Sequence, residues 1–256
     1  YGLRLLGDRG FPMATVGRDF GPYKDWMRET GVPTDYIKVI DSEHTAQAFI
    51  TTDLDDNQIT AFHPGAMSHA HEQDVPADAG IALGVVAPDG REGMLQHARQ
   101  FYDAGIPFLF DPGQGLPLFS SDELKEFIRM ATWVAVNDYE AQMLEHKTGL
   151  TISAMADQSA ALIVTSGAQG STIYSKRQRI AVPTVKADAV LDPTGCGDAY
   201  RAGLLYGVMH DKGWTVSGNI ASLMGAVKIA SRGTQNHFFT PAEFSERYRR
   251  AFGATP

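Results

Sequence analysis

The sequence predicts an α/β fold: a mainly parallel central sheet with helices on both faces, plus a small β-rich block. Three observations carry this. From residue 80 onward, short apolar runs alternate with helix-length amphipathic stretches, the pattern of repeated strand–helix units. The run Ile81–Val86 is nearly all apolar, as expected of a strand buried on both faces. Residues 36–62 break the alternation, with three short β-rich runs, Tyr36–Ile40, His44–Thr52 and Gln58–Phe62. The polar Asp53-Leu-Asp-Asp-Asn57 between the last two reads as a hairpin turn.

The elements follow in order. Leu3, Leu5 and Leu6 belong to a helix end, broken by Gly7 and Gly10, and Phe11–Val16 is a strand. Pro22 starts a helix that runs to Thr30 and stops at Gly31. After the β block and strand 81–86 come helix Arg91–Ala104, strand Pro107–Phe110 and helix Asp122–Met130. Strand Thr132–Val136, helix Tyr139–Lys147 and strand Ala161–Thr165 follow, then two helices after residue 198 and one from Pro241. The expected organisation is a core of residues 1–35 and 67–256, with 36–66 as a β-rich lid.

Composition narrows the function classes. A chain of 256 residues permits one large domain or two small ones, and 43% hydrophobic with 20% charged residues excludes a disordered or fibrous chain. Lys plus Arg number 22 against 30 Asp plus Glu, a net charge of −8. That lacks the basic footprint of a nucleic-acid binder, so no nucleic-acid partner is expected. No apolar run reaches the ~18 residues of a membrane span, so no membrane partner is expected either. Cys196 is the single cysteine and cannot form an internal disulfide; a reducing, cytoplasmic setting is expected.

The most informative stretch is Asp192-Pro-Thr-Gly-Cys-Gly-Asp198, just before an apolar helical run. Gly195 and Gly197 let the backbone approach a ligand closely. The N–H groups of Gly195, Cys196 and Gly197 then stand at a helix N-terminus, where free amides and the helix dipole favour an anion. If that anion is a phosphate in transfer, Asp198 is placed to take a proton from the attacking hydroxyl. The plainer alternative is a glycine turn with Asp198 capping the helix. Cys196 at a helix N-terminus is expected to favour the thiolate and to be sensitive to alkylation.

Two further stretches lie at strand ends. Ala161-Leu-Ile-Val-Thr165 leads into a turn with Gly167 and Gly170, and open parallel sheets bind ligands beyond such carboxyl ends. Asn137 and Glu140 share one face of the helix that starts there. They are candidates to orient a hydrated Mg²⁺ near phosphate oxygens, or simply cap the helix. His63, His69 and His71 cluster after the β block, but their spacing matches no strong metal motif.

Taken together and in this order, Asn137-x-x-Glu140, Thr165-x-Gly167-x-x-Gly170 and the Gly-x-Gly-Asp helix start resemble the ribokinase-like (PfkB) family of sugar and nucleoside kinases. The likeness runs over essentially the whole chain, with Val227-Lys-Ile-Ala-Ser-Arg-Gly-Thr234 similar to the family's closing segment. It implies a ribokinase-like fold, ATP and Mg²⁺ as cofactors, and Asp198 as catalytic base beside an anion hole at Gly195, Cys196 and Gly197. Asn137, Thr165, Gly167, Gly170 and Thr194 would then line the nucleotide site, with Glu140 and Asn137 holding Mg²⁺ through water. Asp192 becomes a candidate ligand for a monovalent cation such as K⁺, as in some members.

One subgroup is closer. Thr51-Thr-Asp53, Gln58-Ile59, Ala61-Phe-His-Pro-Gly-Ala-Met67, Asp111-Pro-Gly-Gln114 and Arg232-Gly-Thr-Gln235 resemble bacterial ribokinase-type adenosine kinases. The resemblance implies that Phe62 and Met67 pack on a purine and that Gln114 lies near the nucleoside. The expected reaction is ATP-dependent phosphorylation of a nucleoside 5′-hydroxyl, adenosine foremost. A sugar kinase acting on ribose and a non-catalytic purine-binding relative remain the alternatives. The family's first strand, its substrate-gripping Asp and its Gly-Gly-x-x-x-Asn stretch would fall before Tyr1, so the ribose contacts are expected upstream. The β block also offers a strand edge through which two chains could pair as a homodimer.

Overall fold

The computed structural model describes all residues except 53–57 and 177. In chain order the elements are α1 (Gly2–Leu5), β1 (Met13–Gly17), α2 (Gly21–Thr30), β2 (Tyr36–Ile40), β3 (Gln47–Thr52) and β4 (Gln58–His63). Then come β5 (Gly84–Val86), α3 (Arg91–Asp103), β6 (Phe108–Phe110), α4 (Ser121–Met130), β7 (Trp133–Asn137), α5 (Asp138–Thr148) and α6 (Ile152–Ala156). The chain closes with β8 (Ala161–Thr165), β9 (Ser171–Ser175), β10 (Gln178–Val182), α7 (Cys196–Met209), α8 (Gly213–Ile229) and α9 (Pro241–Phe252).

A six-stranded sheet in the order β10-β9-β8-β7-β6-β5 forms the centre. β5 to β8 run parallel, and β9 and β10 extend the sheet antiparallel. Side chains alternate across it, as a strand's period of two requires. On one face Phe108, Phe110, Val134, Val136 and Leu162 pack with residues of α3, α4 and α5. On the other, Leu109, Ala135, Ala161 and Ile163 pack with Tyr200, Leu204 and Leu205 of α7 and Ala221 of α8. The expected mainly parallel sheet with helices on both faces is therefore present. On the first face Phe110 and Phe127 stack with ring centroids 4.4 Å apart, directly before the buried Asp111.

Three details differ from the sequence reading. β5 spans Gly84–Val86 rather than 81–86, and Val85 is exposed. It is the last strand of its sheet, so the apolar run lines a cavity of about 760 Å³ shared with β1 instead of lying between two layers. The stretch 36–66 divides in two: β2 pairs in parallel with β1, while β3 and β4 form a separate antiparallel hairpin. The expected turn at 53–57 lies outside the described residues. Finally, β9, β10 and the short α6 had no counterpart in the reading, because Ser171–Ser175 and Gln178–Val182 carry too few apolar residues to stand out.

Candidate active site

Helix α7 begins differently from its neighbours. α4, α5 and α9 each start with a reciprocal capping box, which satisfies their first amides. α7 has no side-chain cap; Gly195 precedes it with φ of 82°, in the left-handed region. A β-carbon at Gly195 would lie 3.3 Å from Thr234, so the turn is also tightly backed. Among the described residues, the N–H groups of Gly195, Gly197 and Asp198 have no protein acceptor. Open amides at a helix N-terminus form an anion site. Asp198 stands exposed in the same first turn.

Cys196 departs from expectation twice. Its N–H donates to the Pro193 carbonyl at 3.1 Å, because the left-handed Gly195 folds the chain back on itself, so this amide is turned away from any ligand. Its thiol is not biased toward thiolate: burial pushes it above its ordinary value, Asp192 and Asp198 add to this, and Lys228 opposes it. Half-burial outweighs the helix N-terminus here.

The strand ends gather the nucleotide-side candidates. In the β7–β8 pairing Asn137 lies opposite Thr165, so both emerge at the same carboxyl edge of the sheet. Gly167 and Gly170 follow in a turn with positive φ at both, and Thr184 Oγ1 donates to Ala168 O at 2.9 Å to hold it. Thr194 is exposed on the loop before α7, where its N–H donates to Asp192 Oδ1 at 2.9 Å.

Asn137 and Glu140 do cap α5. The Glu140 N–H donates to Asn137 Oδ1 at 2.7 Å and the Asn137 N–H to Glu140 Oε2 at 2.8 Å. That leaves Glu140 Oε1 as the oxygen free of the cap. No group of three or more His, Cys, Asp or Glu among the described residues could hold a metal ion. The donor set therefore suits a hydrated Mg²⁺ whose other ligands are water and phosphate, and does not suit an all-protein cage. In the histidine cluster His69 Nδ1 pairs with Glu72 Oε1 at 2.7 Å, and among the described residues no metal-holding group forms there.

An ion pair that the sequence reading missed ties the site together. Asp111, at the end of β6, is buried, and Arg201 of α7 closes on it. Arg201 Nη2 donates to Asp111 Oδ1 at 2.7 Å, and Nε contacts the other oxygen. Arg201 Nη1 lies against Gly197, where a β-carbon would come within 2.7 Å of it. Burial pushes the Asp111 carboxyl up to about 6; Arg201 pulls it down, while Glu140 and Asp198 push it further up. Asp111, Glu140 and Asp198 thus converge on one region. The only sequence signal was an Arg one turn beyond Asp198, with nothing to mark a partner 90 residues away.

Gln114 sits exposed in the turn after Asp111. Phe62, on β4, is 54% exposed. Met67 is half-buried at the root of the hairpin, where the loop after β5 meets it: a β-carbon at Gly90 would lie 2.4 Å from Met67 O. The root is further fixed by Thr15 Oγ1 of β1, which donates to Ala66 O at 2.6 Å.

Removing Arg201 leaves the buried Asp111 without a partner. Breaking a buried pair in this way costs about 3–5 kcal/mol while the remaining group stays charged. In Arg201→Met the one influence that lowers Asp111 is gone, so its folded value rises further above that of the unfolded chain. Its favourable contribution is then complete below the unfolded value and is lost as pH rises through the folded one. The stability deficit against the parent chain, measured by urea unfolding, should be small at pH 5 and reach that range at pH 8. An equal deficit at both would contradict a buried, paired Asp111.

Comparison with known proteins shows the family. The family model described as pfkB family carbohydrate kinase matches residues 2–241. A nucleoside kinase of Methanocaldococcus jannaschii is 31% identical over 251 residues, covering 97% of this chain and 82% of that protein. Burkholderia thailandensis nucleoside kinase in complex with inosine is 48% identical, with a TM-score of 0.96 over 100% of this chain and 86% of the other. The same enzyme in complex with ADP-inosine gives a TM-score of 0.95, over 100% of this chain and 81% of the other. The chain belongs to the pfkB family of carbohydrate kinases, and is an ATP-dependent kinase that phosphorylates a hydroxyl group.

Proposed function

We propose that this kinase transfers the γ-phosphoryl group of ATP to the 5′-hydroxyl of a purine nucleoside, adenosine or its 6-oxo counterpart inosine. The observation that carries the reading is the turn 195–198, where three free amides and an exposed carboxylate occupy one turn of helix. The 48% identity to an enzyme seen with inosine supports a nucleoside over a free sugar.

Asp198 takes the proton from the attacking hydroxyl as the bond to phosphorus forms. The amides of Gly195 and Gly197, joined by that of Asp198, stabilise negative charge on the transferring group. Cys196 contributes its place in the turn rather than its N–H. Thr165, Gly167, Gly170, Thr194 and Asn137 line the nucleotide side, and Glu140 with Asn137 would hold Mg²⁺ through water. That ion would supply charge neutralisation at the phosphates.

The hairpin β3–β4 closes over the acceptor, with Phe62 and Met67 toward the base and Gln114 on the nucleoside, and excludes water. Its two faces carry different apolar residues. Phe62 and Ile50 share one, and Phe49 and Ile59 share the other, all exposed. We assign the first face to the nucleoside and the second to a second copy of the chain, giving a homodimer. The setting we assign is cytoplasmic; no helix is long and apolar enough to cross a membrane among the described residues.

Turnover of Mg-ATP with adenosine, inosine, other nucleosides and ribose at equal concentration tests the acceptor. Purine nucleosides should lead, and Phe62→Ala should raise their KM roughly two- to twelvefold, the worth of an aromatic contact of about 0.5–1.5 kcal/mol, while leaving ribose unchanged. Fastest turnover with ribose would move the acceptor to a free sugar. In sedimentation velocity the parent chain should run as a dimer and Ile59→Asp as a monomer; a monomeric parent would remove the second face from the account.

A further inference from the structure

Lys228 is completely buried, in the last turn of α8. Its ammonium donates to the carbonyl of Asp192 at 2.8 Å and to that of Ser231 at 3.2 Å. These acceptors belong to two different loops. One runs from Leu191 to Gly195 into the anion turn; the other runs from Ser231 to Thr234, against which Gly195 packs. A lysine at a helix end commonly meets its own last carbonyls. Here both acceptors lie outside the helix, and one is on the loop that carries the phosphate-binding amides.

The charged groups facing Lys228 are few. Asp192 is on the anion-turn loop, its Oδ1 accepting from the Thr194 N–H at 2.9 Å and its Oδ2 from the Gly233 N–H at 2.8 Å. These bonds hold its carboxyl well below the usual range, at about 2, with a smaller pull from Lys228. His237, just before α9, is buried with both ring nitrogens unpartnered among the described residues. Burial, then the charge of Lys228, lowers it to about 4, so it stays neutral. Both Asp192 carboxylate oxygens and its carbonyl thus each accept a bond within the chain, and the cation bound at that carbonyl is the ammonium of Lys228.

A buried ammonium bonded to carbonyls of two loops shares its kind of partner with a desolvated potassium or ammonium ion held by backbone oxygens. We propose that Lys228 is a built-in cation: it fastens the two loops behind the anion turn in place of a bound monovalent ion, and so positions the amides of Gly195 and Gly197. The proposal rests on the kinase reading for its catalytic consequence, but not for its effect on the binding of ADP.

The test is a cation titration. Parent chain, Lys228→Ala and Lys228→Met are assayed for nucleoside phosphorylation, and for ADP binding by calorimetry. Choline chloride holds the ionic strength while potassium or ammonium chloride replaces it. The parent should be indifferent to the cation in both readouts. Lys228→Ala, which opens a space, should lose about tenfold or more in ADP affinity and in kcat/KM for ATP in choline, a loss of about 1.4 kcal/mol. Ammonium or potassium should restore most of it. Lys228→Met, which fills the space without charge, should show the loss and no rescue.

A parent chain that requires potassium would overturn the proposal, as would a Lys228→Ala variant that keeps full affinity in choline, or one that no cation restores. If Lys228→Ala fails to fold, the parent's titration and Lys228→Met decide. A parent that binds ADP with the expected cation pattern but phosphorylates no nucleoside would sink the acceptor reading and leave Lys228 standing.

Discussion

With φ of 82°, Gly195 reverses the backbone between Thr194 and α7, and much of the site depends on that reversal. It lets the helix begin without a side-chain cap, turns the Cys196 amide back to Pro193, and leaves the amides on either side open. A residue with a β-carbon would be strained in that conformation and would press on Thr234. The turn needs support from behind, and the loops at Asp192 and Ser231 supply it through Asp192, Lys228 and the close packing of Thr234.

The parallel sheet supplies the other half of the arrangement. Strands that run the same way end at the same edge, so Asp111, Asn137 and Thr165 arrive together although they are far apart in sequence. Arg201 then links this edge to α7. Its guanidinium spans the buried carboxylate of Asp111 and the face of Gly197, which couples the strand-end turn to the anion turn. Phosphoryl transfer depends on positioning and electrostatics more than on covalent chemistry by the protein, and these two fixed points answer that need.

Local signals in the sequence were read well, and distant ones poorly. The Asn137-x-x-Glu140 spacing carried both a Mg²⁺ reading and a helix cap, and the Gly-x-Gly-Asp run both an anion turn and an Asp198 cap; the cap forms at Asn137 and not at Asp198, each set by residues within one turn. The alternating runs of the hairpin were equally clear. β5 was misjudged because an apolar run does not say whether a second layer covers it, and at the sheet's edge none does at Val85. The Cys196 thiol was misjudged because burial, a tertiary property, outweighs the helix terminus beside it. Arg201 and Lys228 went unnoticed because their partners, at 111 and 192, lie 90 and 36 residues away.

The most direct test of the account is the separation of binding from turnover in Asp198→Asn. Calorimetry should give ATP and nucleoside affinities close to those of the parent chain, since the open amides and the lid are untouched. Turnover should fall by about 10²–10⁴, the usual contribution of a positioned general base. Turnover within a few-fold of the parent would contradict the assignment of Asp198, and with it the mechanism built on the turn that carries it.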